Sequence, residues 1–285
     1  MLCFASGCWR QQVRPSPTVS DRPQLDAVAF TESVAQAMRD SDDAFEVKIE
    51  APLKIVVQTP QGAYDCYLEN VWRECQLNPS GRREVVQRHV ETIQYAVASA
   101  GLSSTPNISD LVPLVKDRRW LDEMSRLGLE VYAEPLTGDL FVTYAENDPS
   151  QLRYLTADEF RALGLSPDQF RQLTLAQLSK ALPQVTRHGS GPVYMLTAGG
   201  TFEASLVLFP EVWEEQQELV DGRIVVALPA RDLLLFTGER SAEGLSRMLA
   251  RVKEIQASES YLISDTLLVR TDDGWKTFVP TPASR

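Results

Sequence analysis

The chain has 285 residues, room for about two domains. Its 44% apolar and 24% charged residues suit a globular protein with a hydrophobic core and exclude wholesale disorder. A formal net charge of −11 with no basic block repels phosphate backbones, which argues against general nucleic-acid or anionic-membrane binding, and no run approaches the ~18 uninterrupted apolar residues of a membrane span.

Residues 1–24 read as a disordered N-terminal segment or a tether, rich in Pro, Ser and Gln between 11 and 24. Ala5-Ser6-Gly7-Cys8 is similar to the end of a bacterial lipoprotein signal, which makes Cys8 a lipidation candidate, although Ala5 stands where that pattern prefers Leu. Seven residues cannot supply a basic region and an apolar segment of ~7–15 residues. The expected address is therefore cytoplasmic as the sequence stands. The alternative is an envelope lipoprotein with a truncated signal.

Apolar Ala27, Phe30, Val34 and Met38 fall at helical spacing over 26–39. Segments 45–49, 53–57 and 64–68 alternate or are β-branched and predict a small antiparallel meander, with a turn at Pro60-Gln61-Gly62. Pro79-Ser80-Gly81 opens a helix carrying Val86, Val90, Ile93 and Val97. Gly101 closes it, and the Ser/Thr/Pro stretch 102–107 marks a boundary.

Beyond it, 111–115 reads as a strand and 118–127 as a helix ended by Gly128. Segments 129–133 and 140–145 read as a hairpin about Pro135-Leu136-Thr137-Gly138. Two capping boxes start at Thr156 and Ser166, the second with Pro167 at the first helical position and Phe170, Leu173 and Ala181 on one face. A strand is expected at 193–197, a turn at Gly199-Gly200, then an apolar segment 201–209 of open type and a helix at 210–219. Strands at 223–228 and 232–236 surround Pro229-Ala230-Arg231, and Leu245, Met248, Leu249, Val252 and Ile255 mark another amphipathic helix. A last hairpin, 262–270 and 275–279, turns at Asp272-Asp273-Gly274. Mixed elements without strict βαβ alternation predict an α+β fold of largely antiparallel sheets and amphipathic helices. The expected division is 1–24, a small α+β subdomain at 25–101, and a larger one at 107–285.

Chemistry-bearing patterns all lack a member. Cys66 and Cys75 have neither C-x-x-C spacing nor a histidine pair, and read as two small, half-buried thiols. His89 sits at the edge of a helical apolar stripe and His188 in a glycine-rich loop. A triad could be drawn from His188, Ser205 and Asp232, but no G-x-S-x-G elbow surrounds any serine. Ala198-Gly199-Gly200-Thr201 has the placement of a phosphate cradle, yet no lysine lies nearby, and Glu203 in the first turn satisfies the positive helix end and would repel phosphate. Glu134, Asp139, Glu146 and Asp148 bracket a hairpin without the spacing of a calcium loop. Gln177 falls on the buried helix face, where its amide should tie a neighbouring backbone.

Segments 130–144, 178–183, 191–205 and 225–236 resemble the uncharacterised bacterial domain-of-unknown-function family numbered 1444. The matching positions are Tyr194, Gly199, Glu203, Ala204 and Ser205, and then Pro229, Asp232 and Leu233. Gln177-Leu178 stands where other members have Asn-Leu. The resemblance implies fold boundaries and a helix after Thr201, and no activity.

The expected function is that of a non-catalytic binding or accessory protein with a protein partner and no cofactor or metal. The alternative is a hydrolase-like enzyme using Ser205 or the carboxylates Glu203 and Asp232. The candidate binding residues are Tyr194, Glu203, Ser205, Arg231 and Asp232, where resemblance and turn chemistry coincide.

Overall fold

The computed structural model describes residues 26–41, 46–59, 62–100, 106–126, 128–148, 151–258 and 261–280. Cys8 and the segment 1–24 lie outside them. The described chain is α+β, with three antiparallel sheets.

The first lobe starts where Asp26 accepts hydrogen bonds from Val28 N (3.2 Å) and Ala29 N (3.3 Å), capping α1 (Ala27–Ser41). Phe30, Val34 and Met38 recur every four residues and bury one stripe of it. The meander β1 (Glu46–Ala51), β2 (Lys54–Thr59) and β3 (Gly62–Tyr67) follows as expected. Helices α2 (Glu69–Leu77) and α3 (Arg82–Ala100) complete the lobe. The sequence pattern did not reveal α2, whose buried residues are only Val71 and Cys75 at i,i+4. In α3 the buried positions are Val85, Val90 and Ile93, with Val86 packed at their margin, and the Val97 side chain lies outside the described ones. This core draws on residues from Phe30 to Ile93 alone, whereas all other cores draw on residues from Leu111 onward.

Leu53, between β1 and β2, has φ 62°, a left-handed conformation that costs a branched residue of order 1 kcal/mol. Thr31 holds it there. The threonine hydroxyl, in a residue 1% exposed, accepts Leu53 N at 2.7 Å and donates to Ala27 O at 2.7 Å.

The second lobe begins with β4 (Leu111–Asp117), α4 (Arg118–Arg126), β5 (Ala133–Thr137), β6 (Leu140–Asp148) and β7 (Gln151–Tyr154). Strand β6 is the spine of this sheet, with β4 on one side and both β5 and β7 on the other. The β5–β6 turn is not centred on Pro135. That proline lies inside β5, an outer strand with a register shift after it, and the turn is Gly138-Asp139, with Gly138 at φ 58°. Helices α5 (Ala157–Ala162) and α6 (Pro167–Ala181) both carry the complete capping boxes expected of them. The buried stripe of α6 is Phe170, Thr174 and Leu178, while Ala181 is exposed. Gln177 binds no backbone there: its Oε1 accepts from Lys180 Nζ at 3.5 Å, and the buried polar group is Thr174, bonded back to Phe170 O.

The six-stranded sheet contains β8 (Thr186–His188), β9 (Tyr194–Thr197), β10 (Ile224–Ala230), β11 (Leu233–Gly238), β12 (Leu267–Thr271) and β13 (Gly274–Phe278), in the order β13-β12-β10-β11-β9-β8. His188 is therefore on a short exposed edge strand and not in a loop. Every residue of β10 is buried, because its two faces serve two cores. Ile224, Val226 and Leu228 face Trp213 and Phe236, while Val225 and Ala227 join Met248, Val252 and Ile255 of helix α8 (Ala242–Ser258). Pro229 lies within β10 beside a bulge, so the turn to β11 is Arg231-Asp232. The segment 201–209, open in the sequence, holds a 3-10 turn at Glu203–Leu208, followed by α7 (Pro210–Gln216).

Thr31→Val keeps the shape of the side chain and leaves the Leu53 N–H without its acceptor. Equilibrium urea unfolding should show a loss of about 2 kcal/mol. An unchanged midpoint would mean that Leu53 holds its conformation without this bond.

Candidate functional site

The 3-10 turn Glu203–Leu208 is wedged between the two larger sheets, with five of its six residues buried. A non-repetitive backbone in such a place must find internal partners. Trp213 Nε1 donates to Leu206 O at 2.9 Å and Trp275 Nε1 to Val207 O at 2.8 Å. Ala204 N donates to Arg231 O at 3.1 Å, which ties the turn to the β10–β11 corner.

Glu203 is 1% exposed. Its Oε1 accepts Ala198 N at 2.7 Å and Gly200 N at 2.6 Å, bracing a turn in which Gly199 and Gly200 both have positive φ. The amides that could have cradled a phosphate are thus taken by a carboxylate of the chain itself. Glu203 Oε2 is buried without a hydrogen-bond partner. Asp232 sits exposed at the adjoining turn. Desolvation pushes its carboxyl above the usual range and Glu203's charge adds to this, while its own backbone N–H and Arg231 pull the other way.

Four of the five candidate residues, Glu203, Ser205, Arg231 and Asp232, therefore meet at one corner. Tyr194 is not among them. It lies opposite Phe236 in the β9–β11 ladder, stacked on that ring at 5.0 Å, with its hydroxyl toward Leu219 O at 3.5 Å. Nor does His188 join Ser205 and Asp232. It pairs with Met195, which pairs with Leu235, two strand spacings or about 10 Å away. His188 Nε2 and Thr197 Oγ1 share a hydrogen bond of 2.9 Å.

The corner opens into a cleft of about 1010 Å³ between the lobes. The first lobe contributes Glu74, Arg88 and His89; the second contributes Lys116, Trp120, Tyr154, Arg231 and Tyr261. Sequence patterns had singled out only Arg231 among the second group. The others lie far apart in the chain, and only the strand pairing brings them together. Two hydrogen bonds of 3.4 Å cross between the lobes, Arg73 Nη2 to Gln256 O and Tyr261 N to Asn70 Oδ1.

The cleft's charges are unevenly satisfied. Arg88 is ion-paired to Glu74. Among the described residues, neither Lys116 nor Arg231 has a carboxylate within ion-pair distance. Lys116 Nζ stands 5.1 Å from the Trp120 ring centre and 5.6 Å from that of Tyr154, two rings 4.5 Å apart. The Arg231 guanidinium lies 3.7 Å over the Tyr261 ring, and its Nε is buried with no partner. Tyr261 itself has φ 56°, a strained conformation for an aromatic residue. His89 Nε2 is a further buried atom without a partner, and burial pushes the His89 imidazole down to about 4 despite the attraction of Glu74.

Three of the acidic residues around the β5–β6 hairpin are engaged elsewhere, and the Asp148 side chain lies outside the described ones. Glu134 accepts from Tyr132 Oη (3.1 Å), Tyr144 Oη (2.9 Å) and Arg171. Asp139 accepts Ser264 Oγ at 3.0 Å, and Glu146 pairs with Arg153 at 2.5 Å. Among the described residues no group of three His, Cys, Asp or Glu side chains is placed to hold a metal ion. Burial raises the Cys66 and Cys75 thiols, Cys66 to about 12, the opposite of an activated thiolate.

Compared with protein-family models, curated proteins and solved structures, the chain matches none of them, so the likeness to the 1444 family rests on the quoted residues alone.

Two outcomes follow from this geometry. His89 stays neutral in the folded chain below its ordinary value of 6.5, so the unfolded state binds the extra proton between 6.5 and about 4. Stability is full above that window and falls as pH drops through it, by of the order of 2 kcal/mol at about pH 5. In urea titrations, His89→Gln should lose less stability than the wild type between neutral and acidic pH, and parallel curves would refute the assignment. Removing the Glu203 brace in Glu203→Ala strands two amides and should cost about 3 kcal/mol, whereas Glu203→Gln, which keeps an acceptor, should cost about 1 kcal/mol. Tryptophan fluorescence during unfolding would report both, and equal losses in the two variants would mean the amides are not what Glu203 serves.

Proposed function

We propose that the protein is a non-catalytic binding protein and that the cleft between its lobes is the ligand site. The observation that carries this is the convergence on one cleft of two cations without carboxylate partners, an aromatic pair and two buried polar atoms without hydrogen bonds. Buried polar groups are normally satisfied, and their exceptions concentrate at sites that complete their bonding with something else. Inter-domain clefts of this size are also the usual location of small-molecule sites. A small ligand suits the cleft better than the protein partner expected from the sequence. The large exposed apolar side chains among the described residues, Val28, Leu129 and Val279, lie on three different segments and make no case for a flat docking face.

The hydrolase-like alternative has one observation in its favour, the raised Asp232 carboxyl. Against it, Glu203 Oε1 already serves two amides, and neither Glu203 nor Asp232 lines the cleft.

Hydrogen exchange of the full chain, with and without a deproteinised metabolite extract, tests the binding reading. Slowed exchange should concentrate at residues 70–74, 88–92, 116–120 and 201–202, and Trp120→Ala should abolish it. Protection confined to other segments, or none, would overturn the assignment of the cleft.

A further inference from the structure

Beside the cleft lies a small recess of about 10 Å³, whose polar lining is Lys116, Thr201, Ser205 and Arg231. It adjoins the cleft, since Lys116, Leu152, Thr201 and Arg231 border both. A space of that size holds one oxygen atom with its electron shell, the volume a single water fills. Half of its lining is apolar (Leu114, Val115, Leu152 and Ala204). The rest is a lysine and an arginine with no carboxylate within ion-pair distance among the described residues, and two hydroxyl residues; Arg231 Nε is buried without a partner. Ser205 is 1% exposed. Arg231 is fixed from above by the Tyr261 ring and from behind by its own backbone, whose N–H donates to Tyr261 O at 3.1 Å and whose carbonyl accepts Ala204 N. The Tyr261 ring covers a face of the guanidinium, and it is the edge of a guanidinium that takes an oxyanion.

We infer that this recess is the oxyanion seat of the cleft, and that the ligand is a small organic anion, carboxylate or phosphate, whose flat apolar body lies against Trp120 and Tyr154. The inference rests on the reading of the cleft as a ligand site. The electrostatics agree with it. In a chain of net charge −11, the cleft lining holds three cations, Arg88, Lys116 and Arg231, against two carboxylates, Glu74 and Glu91. Of those carboxylates, Glu74 is held by Arg88, and Glu91 is exposed and accepts Gln87 Nε2 at 3.0 Å. The cleft lining therefore carries more positive than negative side chains, although the molecule as a whole is negative. Glu203 and Asp232 lie at the adjoining corner and do not line the recess.

The test is titration calorimetry of the full chain with benzoate, phenyl phosphate and neutral benzyl alcohol. Binding of at least one anion and not of the alcohol is expected, and the two anions decide between carboxylate and phosphate. Arg231→Gln and Lys116→Met should each weaken that binding by about tenfold or more. Lys116→Met keeps the apolar stem against both rings, so its fold is checked by an unchanged thermal melt. The inference is overturned if the folded wild type binds neither anion, if the alcohol binds as well, or if both variants bind as the wild type does. Should the anions fail while a metabolite extract still slows exchange along the cleft walls, the oxyanion seat falls and the binding reading survives. Should both fail, both fall.

Discussion

A six-residue turn of 3-10 helix, Glu203–Leu208, is buried between two sheets, and its polar backbone has to be satisfied from inside the protein. That requirement organises the second lobe. Two tryptophans from separate elements spend their indole N–H groups on its carbonyls, their rings meeting edge to face at 5.1 Å. A glutamate at its start braces the double-glycine turn that delivers the chain into it. The β10–β11 corner closes the remaining amide through Arg231 O. The same bond that satisfies the turn thus holds Arg231 at the cleft.

Placing a carboxylate such as Glu203 almost wholly out of water is costly, and hydrogen bonds from two amides offset much of that cost. The brace has a chemical consequence. Backbone amides at a strand-to-helix junction are the commonest cradle for phosphate, and here they are permanently occupied. The positive potential available to a ligand comes instead from side chains, Lys116 at the end of β4 and Arg231 after β10. Both are seated on aromatic rings, which keep their charges without neutralising them.

Local signals were legible in the sequence, and those that depend on pairing were not. Both capping boxes are complete because Thr156 with Glu159, and Ser166 with Gln169, need only three residues of chain to form. The α+β class and the meander followed from periodicity in the same way. The turns of two hairpins were misplaced because Pro135 and Pro229 read as turn residues but lie in strands beside register shifts, which pairing alone reveals. Strands β7 and β8, four and three residues long, are too short to carry a period. At the site, Glu203, Ser205, Arg231 and Asp232 were found where the resemblance and turn chemistry coincide. Tyr194 shared their flavour but serves the core. His89, Lys116, Trp120 and Tyr154 carry no motif at all, and their common address is a product of tertiary structure.

Between Ala227 and Ala230 the strand β10 spends three steps where β11 spends two, so one residue is supernumerary in the ladder. Its carbonyls are not wasted: Leu228 O accepts Ser264 N, and Pro229 O accepts Ile263 N and Gln256 Nε2. Since a strand's side chains alternate between faces, the extra residue inverts the parity of everything that follows it. Arg231 therefore owes its side of the sheet to a count and not to its neighbours' identities. Exchange of Pro229 for another residue leaves that count unchanged, whereas Leu228 also fills the core against Trp213 and Phe236. A form one residue shorter between 227 and 231 would present the guanidinium to the opposite layer.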